Sequence, residues 1–166
     1  LLKLSKAHFD FDNLIDFFNE RIRGQFIDKG IRLDVIKSTN LKLYKESSLK
    51  EILQRTLAVD DFVSTESGVN LIQGYRRAVN ILTAEEKKDG IIYSLDPKIE
   101  LFTENSELTL YQKLTEVDKK IINDLEKQNA SIALVNLSTL RDPIDDFFNF
   151  VQINSKDSIV RRNRLC

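Results

Sequence analysis

The sequence predicts an all-α fold, a helical bundle, and three observations support that prediction. Five glycines and two prolines in 166 residues are few for a fold that turns often. Apolar residues recur at spacings of three and four along most of the chain, which is the period of amphipathic helices. Hydrophobic residues make up 42% of the chain, enough to bury one core. We therefore predict a single helical domain over residues 1–166. Because it begins with Leu and contains no Met, we expect a fragment of a longer chain.

In the N-terminal third of the sequence, the spacing of apolar residues predicts one long helix and one short helix. The first helix can be capped by Asp12 and ended by Gly30. Its inward residues recur at every fourth position: Leu14, Phe18, Ile22 and Phe26. A short helix through Val35 and Ile36 follows, and then a polar, lysine-rich loop over residues 37–48.

In the middle of the sequence, the same spacing predicts two further helices. Ser47 or Ser48 can start the first of them, and residues 64–68 break it. Its inward residues are Leu49, Ile52, Leu53, Leu57 and Phe62. The second helix has the apolar stripe Val69, Ile72, Tyr75, Val79 and Leu82. We expect it to end in a charged loop, TAEEKKDG at residues 83–90, which closes with Gly90.

The C-terminal half begins with Asp-Pro at residues 96–97, which can open a short segment because proline fits a helix's first turn. Ser106 or Glu107 starts the longest predicted helix. Its apolar stripe is Leu110, Leu114, Val117, Ile121 and Leu125. A helix over residues 132–140 comes next, and Pro143 then either starts a new helix or kinks that one.

The stretch RDPIDDFFNF, residues 141–150, raises the question of a carboxylate site. Helical spacing puts its apolar side chains on one face and its aspartates, with Asn149, on the other. Asp142 and Asp145 also fall in a helix's first turn, where the exposed N–H groups favour negative charge. A solvated helix face therefore explains the aspartates without any chemistry.

The chain has no pattern typical of catalysis or of metal binding. His8 is the only histidine, without a glutamate three residues before it, which excludes a di-metal carboxylate bundle and leaves a histidine-based triad without support. Cys166 is the only cysteine and the glycines are scattered singly, which excludes a thiolate cage and a phosphate loop. No apolar run approaches the roughly 20 residues of a membrane span. We predict a soluble, cytoplasmic chain with no catalytic residue, no metal site, no cofactor and no membrane contact.

Charge is balanced overall, with 25 basic and 26 acidic residues, but it is unevenly distributed. Residues 21–50 hold eight basic and three acidic side chains, a net of +5. A second basic cluster has one acidic neighbour, Asp157, and four basic members: Lys156, Arg161, Arg162 and Arg164. Such clusters indicate a local polyanion site, although on charge alone a solvated helix face is the simpler explanation.

Three segments carry a family resemblance. GYRRAVNIL, residues 74–82, is similar to an N-K-R-V-x-N-I-L element. Residues 140–165 are similar to L-R-x-x-I-D-x-F-F-D-x-V-x-V-N followed by L-R-x-N-R-L. Residues 11–36 resemble F-x-x-x-R-x-R followed by D-x-G-x-x-x-D-x-I. In these motifs and their order, the chain resembles the C-terminal end of the beta subunit of bacterial glycyl-tRNA synthetase.

The resemblance implies a helical anticodon-binding domain similar to those of arginyl- and cysteinyl-type synthetases. It implies binding of tRNA(Gly) without catalysis by this chain. Attachment of glycine to tRNA would belong to the alpha subunit, which uses ATP and Mg and is the partner in the full hetero-oligomeric enzyme.

The residues suit such a role, because Arg77 and Asn80 lie three apart on one helix face, next to Arg76. Arginine offers a planar fork for phosphate or guanine, and asparagine can read a base edge. The full set of candidate RNA contacts is Arg76, Arg77, Asn80, Arg21, Arg23, Arg32, Arg161 and Arg164.

Structural alternatives stay open for these residues. Arg77 could pair with a carboxylate such as Asp61, and Asn80 could cap a neighbouring turn. Of Arg161 and Arg164, at least one is expected to tie helices together. For the whole chain, two other functions remain: a non-catalytic helical protein-interaction module, and an anticodon-binding domain of an arginyl-type synthetase.

Overall fold

The computed structural model describes residues 11–39 and 48–166, and within these ranges every regular element is an α-helix or a 3-10 turn. The predicted all-α fold is confirmed. The chain folds as two compact units, Leu1–Asp60 and Asp61–Cys166. The assignment of residues 1–166 to one domain stays a prediction. None of the helices in the described ranges is long and apolar enough to span a membrane.

The first unit contains α1 (Phe11–Asp28), α2 (Leu33–Ser38) and most of α3 (Leu49–Val63). Its most buried side chains include Ile22 and Phe26 of α1, as predicted. Phe18 was expected to point inward but is 46% exposed. Gly30 ends the α1 segment with a positive φ of 81°, a conformation that glycine adopts without strain.

The start of α3 shows the predicted cap. The Ser48 hydroxyl accepts a hydrogen bond from the Glu51 N–H at 3.2 Å, and the Glu51 carboxylate accepts one from the Ser48 N–H at 3.3 Å. This reciprocal arrangement is a capping box. The hydroxyls of Thr56 and Thr39, 3.2 Å apart, tie α3 to the end of α2. Most of the predicted loop over residues 37–48, Ser47 and His8 lie outside the described residues.

The second unit contains α4 to α8 and one 3-10 turn. Their bounds are α4 (Glu66–Asp89), the 3-10 turn (Ile99–Leu101), α5 (Asn105–Glu126), α6 (Ala130–Ser138), α7 (Arg141–Phe150) and α8 (Ser158–Leu165). α5 packs against α6 and α7, α4 packs against α7 and α6, and α8 contacts the 3-10 turn. The α4–α7 packing positions the candidate site.

α4 corrects the prediction of a charged loop at residues 83–90. The helix continues to Asp89 and ends at Gly90, which has a left-handed φ of 71°. The segment consists largely of strong helix formers, and the two lysines in its last turn complement the helix dipole. With 24 residues, α4 is longer than the 22-residue α5 that was expected to be the longest helix.

The junction of α6 and α7 settles the role of Pro143. Because α6 ends at Ser138 and α7 begins at Arg141, the proline lies in the first turn of a new helix, where no N–H partner is needed. α7 then approaches α4 closely at Gly74, where a Cβ atom would lie 2.9 Å from the Ile144 methyl group. The small glycine therefore allows α7 to lie against α4.

Candidate nucleic-acid interface

The middle of α4 and the segment after α7, residues 151–154, enclose a cleft of about 490 Å³. We call it the polar cleft. Its polar lining consists of Arg77, Asn80, Glu85, Gln152 and Asn154. The cleft therefore brings together two of the predicted RNA-binding residues and a set of side-chain amides.

Arg77 stacks on an aromatic ring. Its guanidinium carbon lies 4.3 Å from the centroid of the Phe148 ring, a cation–π contact worth about 0.5–1 kcal/mol at an exposed site. The alternative, an ion pair with Asp61, is absent from the described part of the chain. Because Arg77 donates no side-chain hydrogen bond to a described residue, its guanidinium N–H groups remain available to a ligand.

Arg76 and Asn80 are also exposed on α4. Neither side chain forms an ion pair or a hydrogen bond within the described ranges, so Asn80 has no capping role there. Asn80 lines the polar cleft, and Arg76 adjoins Arg77 on the exposed surface of the same helix. A planar cation, a second cation and an amide are thus open to solvent within five residues of one helix.

The opposite wall of the polar cleft is fixed by hydrogen bonds. Asn154 Nδ2 donates to Glu85 at 3.1 Å, and Asn154 Oδ1 accepts from Arg161 Nε at 3.2 Å. The Gln152 backbone carbonyl accepts from Arg164 Nη1 at 2.7 Å. The amide of Asn154 is therefore used internally, whereas the Asn80 side chain keeps its donors and acceptor free of partners among the described residues.

Arg161 connects α8 to the end of α4. Nη2 forms ion pairs with Glu85 and, at 2.6 Å, with Asp89, while Nη1 lies 3.4 Å from the Tyr93 hydroxyl. Its hydrogen bond to Glu85, followed by that from Asn154, lowers the pKa of the Glu85 carboxyl. Hydrogen bonds from Tyr93 and then Arg161 lower the pKa of Asp89, and the bonds to Asp89 and then Glu85 raise the pKa of Arg161.

Arg164 forms a buried ion pair between α8 and α5. Nε lies 2.9 Å from Glu107, Nη2 donates to Thr103 Oγ1 at 2.7 Å, and the Arg164 and Glu107 side chains are 6% and 2% exposed. Burial alone would raise the pKa of Glu107. Hydrogen bonds from Arg164 and from the backbone N–H groups of Glu104 and Thr103 outweigh burial and hold that pKa below its ordinary value.

Both C-terminal arginines therefore tie helices together, as expected for at least one of them. Their guanidinium groups already bond to protein acceptors, so the geometry favours a structural role for Arg161 and Arg164 over direct RNA contact. Their assignment as RNA contacts stays a prediction.

The side chains of the first-unit candidates contact residues close to them in sequence, and the Arg32 backbone N–H also donates to Asp60 at 3.4 Å. Arg21 lies 5.9 Å from the centroid of the Phe17 ring, and Arg23 lies 3.5 Å from Glu20. Arg32 forms a two-point pair with Asp34, at 2.6 and 3.0 Å. These contacts are exposed, and exposed pairs contribute little to stability, so they leave the three arginines available to a polyanion.

The aspartates of α7 form no metal site. Asp142, Asp145 and Asp146 are exposed, and no group of three potential ligands that could hold a metal ion occurs in the described residues. Asp145 instead lies 3.9 Å from Arg141. The prediction of a solvated helix face is confirmed.

Two aromatic side chains lie in environments that the sequence did not predict. Phe148 belongs to the predicted apolar face of residues 141–150, yet it lines the polar cleft and its ring contacts the Arg77 guanidinium. Tyr75 was expected to point inward but is 66% exposed, on the helical turn before Val79. A period of three or four marks a residue's angular position on its helix. It does not indicate which neighbouring helix covers that position.

Comparison with protein families gives a match over most of the second unit. The family model of the DALR anticodon binding domain matches residues 71–166. This range includes Arg76, Arg77, Asn80 and both walls of the polar cleft.

Relatives of the chain carry a consistent description. The glycine–tRNA ligase beta subunit of Paracoccus denitrificans is 39% identical over 166 residues, 97% of this chain and 24% of the relative. That of Ruegeria sp. is 36% identical over 94% of this chain and 23% of the relative. That of Phenylobacterium zucineum is 34% identical over 98% of this chain and 24% of the relative. The chain spans about a quarter of the length of these relatives.

Proposed function

Because the chain belongs to the family of DALR anticodon binding domains, we propose that it binds the anticodon region of a tRNA through the polar cleft and the exposed face of α4. We further propose that the tRNA is tRNA(Gly), since the similar proteins are glycine–tRNA ligase beta subunits. The chain would serve glycine attachment by binding and would catalyse nothing itself.

One observation carries this proposal. Within the described residues, Arg76, Arg77 and Asn80 are exposed side by side with no side-chain hydrogen bond or ion pair. Arg161 and Arg164 of the same unit are, by contrast, paired with carboxylates. Unpaired arginine and amide groups around a cleft suit a ligand with phosphates and base edges.

The geometry suggests a different role in RNA binding for each of the three residues. Arg77, stacked on Phe148, presents a flat cation on which an unstacked base of the anticodon loop can lie. Asn80, in the same cleft, can donate to and accept from the edge of that base. Arg76, beside the cleft, would neutralise a phosphate.

For the full enzyme we propose the arrangement that the resemblance implies. An alpha subunit would bind ATP and Mg and carry out the ligation, and this chain would be part of its hetero-oligomeric partner in the cytoplasm.

The test is binding to fluorescent anticodon stem-loops by anisotropy at several salt concentrations. Arg76→Gln should weaken every RNA alike and flatten the salt slope by about 0.7–0.9. Asn80→Ala should leave the slope unchanged and narrow the preference for the glycine anticodon, by about 1–3 kcal/mol if it behaves like a good base contact in DNA. Lys87→Gln, a charge loss from the far end of α4, is the matched control and should change neither.

The proposal fails if the wild-type chain, at low salt and high concentration, binds the glycine stem-loop no better than a scrambled one. A preference for arginine stem-loops in a competition assay would instead favour the arginyl-type alternative.

An interaction module is the second candidate, because the end of α5 and α6 expose apolar side chains. Ile122, Leu125, Ile132 and Val135 are between 48% and 63% exposed. Exposed apolar surface is typical of protein contacts. If RNA binding shows no sequence preference, this interpretation becomes the better one.

A further inference from the structure

We infer that Arg161 is a positioning residue that holds the far wall of the polar cleft, and that it does not contact RNA. This inference rests on the proposed function, since the cleft matters only if it receives a base. We call Arg161 and its four acceptors, Glu85, Asp89, Tyr93 and Asn154, the clasp.

The clasp joins two regions that are distant in sequence, residues 85–93 and residues 154–161. Glu85 and Asp89 lie on the last turns of α4, Tyr93 lies just after that helix, and Asn154 lies in the cleft wall. Arg161 is 68 to 76 residues from its partners around α4 but only seven from Asn154. One guanidinium therefore fixes the wall segment to the helix that carries Asn80.

A single planar fork is well suited to this task. Nε points to Asn154 at 3.2 Å while Nη2 bonds to both carboxylates, so the wall and α4 are held by one rigid group. Asn154 is held from both ends, because its Nδ2 donates to Glu85. An ammonium group at this position could not span the same acceptors in fixed directions.

Direct contact with a phosphate is the competing role for Arg161. Its side chain is 19% exposed, and its strongest donor lies between two carboxylates that are 13% and 24% exposed. A phosphate that approached Nη2 would have to displace one of those carboxylates and then lie beside it, and Nη1 already faces the Tyr93 hydroxyl. The side chain of Arg162, the next residue, is exposed without a protein partner in the described residues, and so a cation free for phosphate is available without opening the clasp.

The decisive variant is Arg161→Lys, which keeps the charge and loses the fork. If Arg161 positions the wall, preference for the glycine stem-loop over a scrambled one should fall by about tenfold, as for one lost base contact, with the salt slope unchanged. If Arg161 instead contacts a phosphate, Arg161→Lys should change neither the salt dependence of RNA affinity nor the preference for the glycine stem-loop. Arg162→Lys is the matched control and should behave like the wild type.

A second variant tests the clasp from outside the cleft. Asp89 is a clasp acceptor that does not line the polar cleft. Asp89→Asn removes a negative charge, so it should strengthen binding to all RNA while narrowing the preference for the glycine stem-loop. If Asp89 affects RNA only through its negative charge, Asp89→Asn should strengthen binding to all RNA without changing the preference for the glycine stem-loop.

Hydrogen exchange supplies a measurement that needs no RNA. The Ser155 N–H, at the end of the wall segment, donates to the Ile153 carbonyl at 2.9 Å. In Arg161→Lys, amides of residues 151–155 should exchange faster while those of α5 stay unchanged, and Arg162→Lys should show neither effect. Faster exchange supports the clasp even if the wild-type chain has no anticodon preference, a result that would count against the proposed function alone.

Two results would overturn the inference. One is an Arg161→Lys variant with unchanged exchange in residues 151–155. The other is an Arg161→Gln variant whose salt slope flattens by about 0.9 while the wall amides exchange as in the wild type. That second result would assign the guanidinium to a phosphate.

Discussion

Replacing Arg164 with alanine should destabilise the chain by about 3 kcal/mol, because it leaves a buried carboxylate without its cation. Arg164 and Glu107 are nearly inaccessible, and the guanidinium also donates to Thr103 and to the Gln152 carbonyl. Removing one member of a buried pair typically costs about 3–5 kcal/mol. We expect the lower end, since Glu107 keeps two backbone N–H donors at 2.8 Å.

The assay is urea unfolding followed by circular dichroism. Arg162→Ala is the control, because Arg162 is exposed on the same helix, and it should change the free energy of unfolding by at most about 0.5 kcal/mol. Equal destabilisation of the two variants would refute the reasoning, since it would mean that the pair with Glu107 contributes nothing.

The pH dependence follows from the depressed pKa of Glu107. A group whose folded pKa lies below its unfolded value stabilises the fold above the unfolded value, and that stabilisation is lost as pH falls through the folded pKa. The ordinary value is 4.5. The difference in unfolding free energy between the wild type and Arg164→Ala should therefore be largest at neutral pH and shrink below 4.5. A difference that grows on acidification would contradict the assignment.

Two further predictions concern stability. Gly68→Ala should lower the urea midpoint more than Gly74→Ala, because its Cβ would lie 2.0 Å from the backbone oxygen of Phe62, whereas Gly74 faces a side chain that can move. Equal midpoints would count against this packing. Phe148→Ala should cost about 2 kcal/mol, less than a full core truncation because the ring is half-buried, and Asp146→Asn should change stability by at most about 0.5 kcal/mol. The reverse order in urea melts would reopen the question of a carboxylate site.

Features that depend on neighbouring residues were predicted well. The Ser48 cap, the stop at Gly30 and the solvated aspartates of α7 each involve residues within about four positions. Such contacts are set by helix geometry, so their residue types can be recognised in a sequence.

Predictions that needed knowledge of the covering neighbour were less successful. Tyr75 and Phe18 fit apolar stripes, yet they are 66% and 46% exposed. The charged residues after Leu82 carry no apolar stripe and therefore suggest a loop, although their helix propensity is high. Apolar periodicity alone underestimates the length of a helix whose last turns are largely exposed to solvent.

By itself, the sequence determined the all-α class, most helix positions and, through its motifs, the family and the α4 residues proposed to bind RNA. Only the tertiary structure decided which arginines are free. Arg76 and Arg161 are the same residue type, but Arg161 meets carboxylates 72 and 76 residues away and Arg76 meets none in the described residues. The physical reason is that an ion pair depends on distance in space, and pairs so far apart in sequence have no period by which they can be recognised.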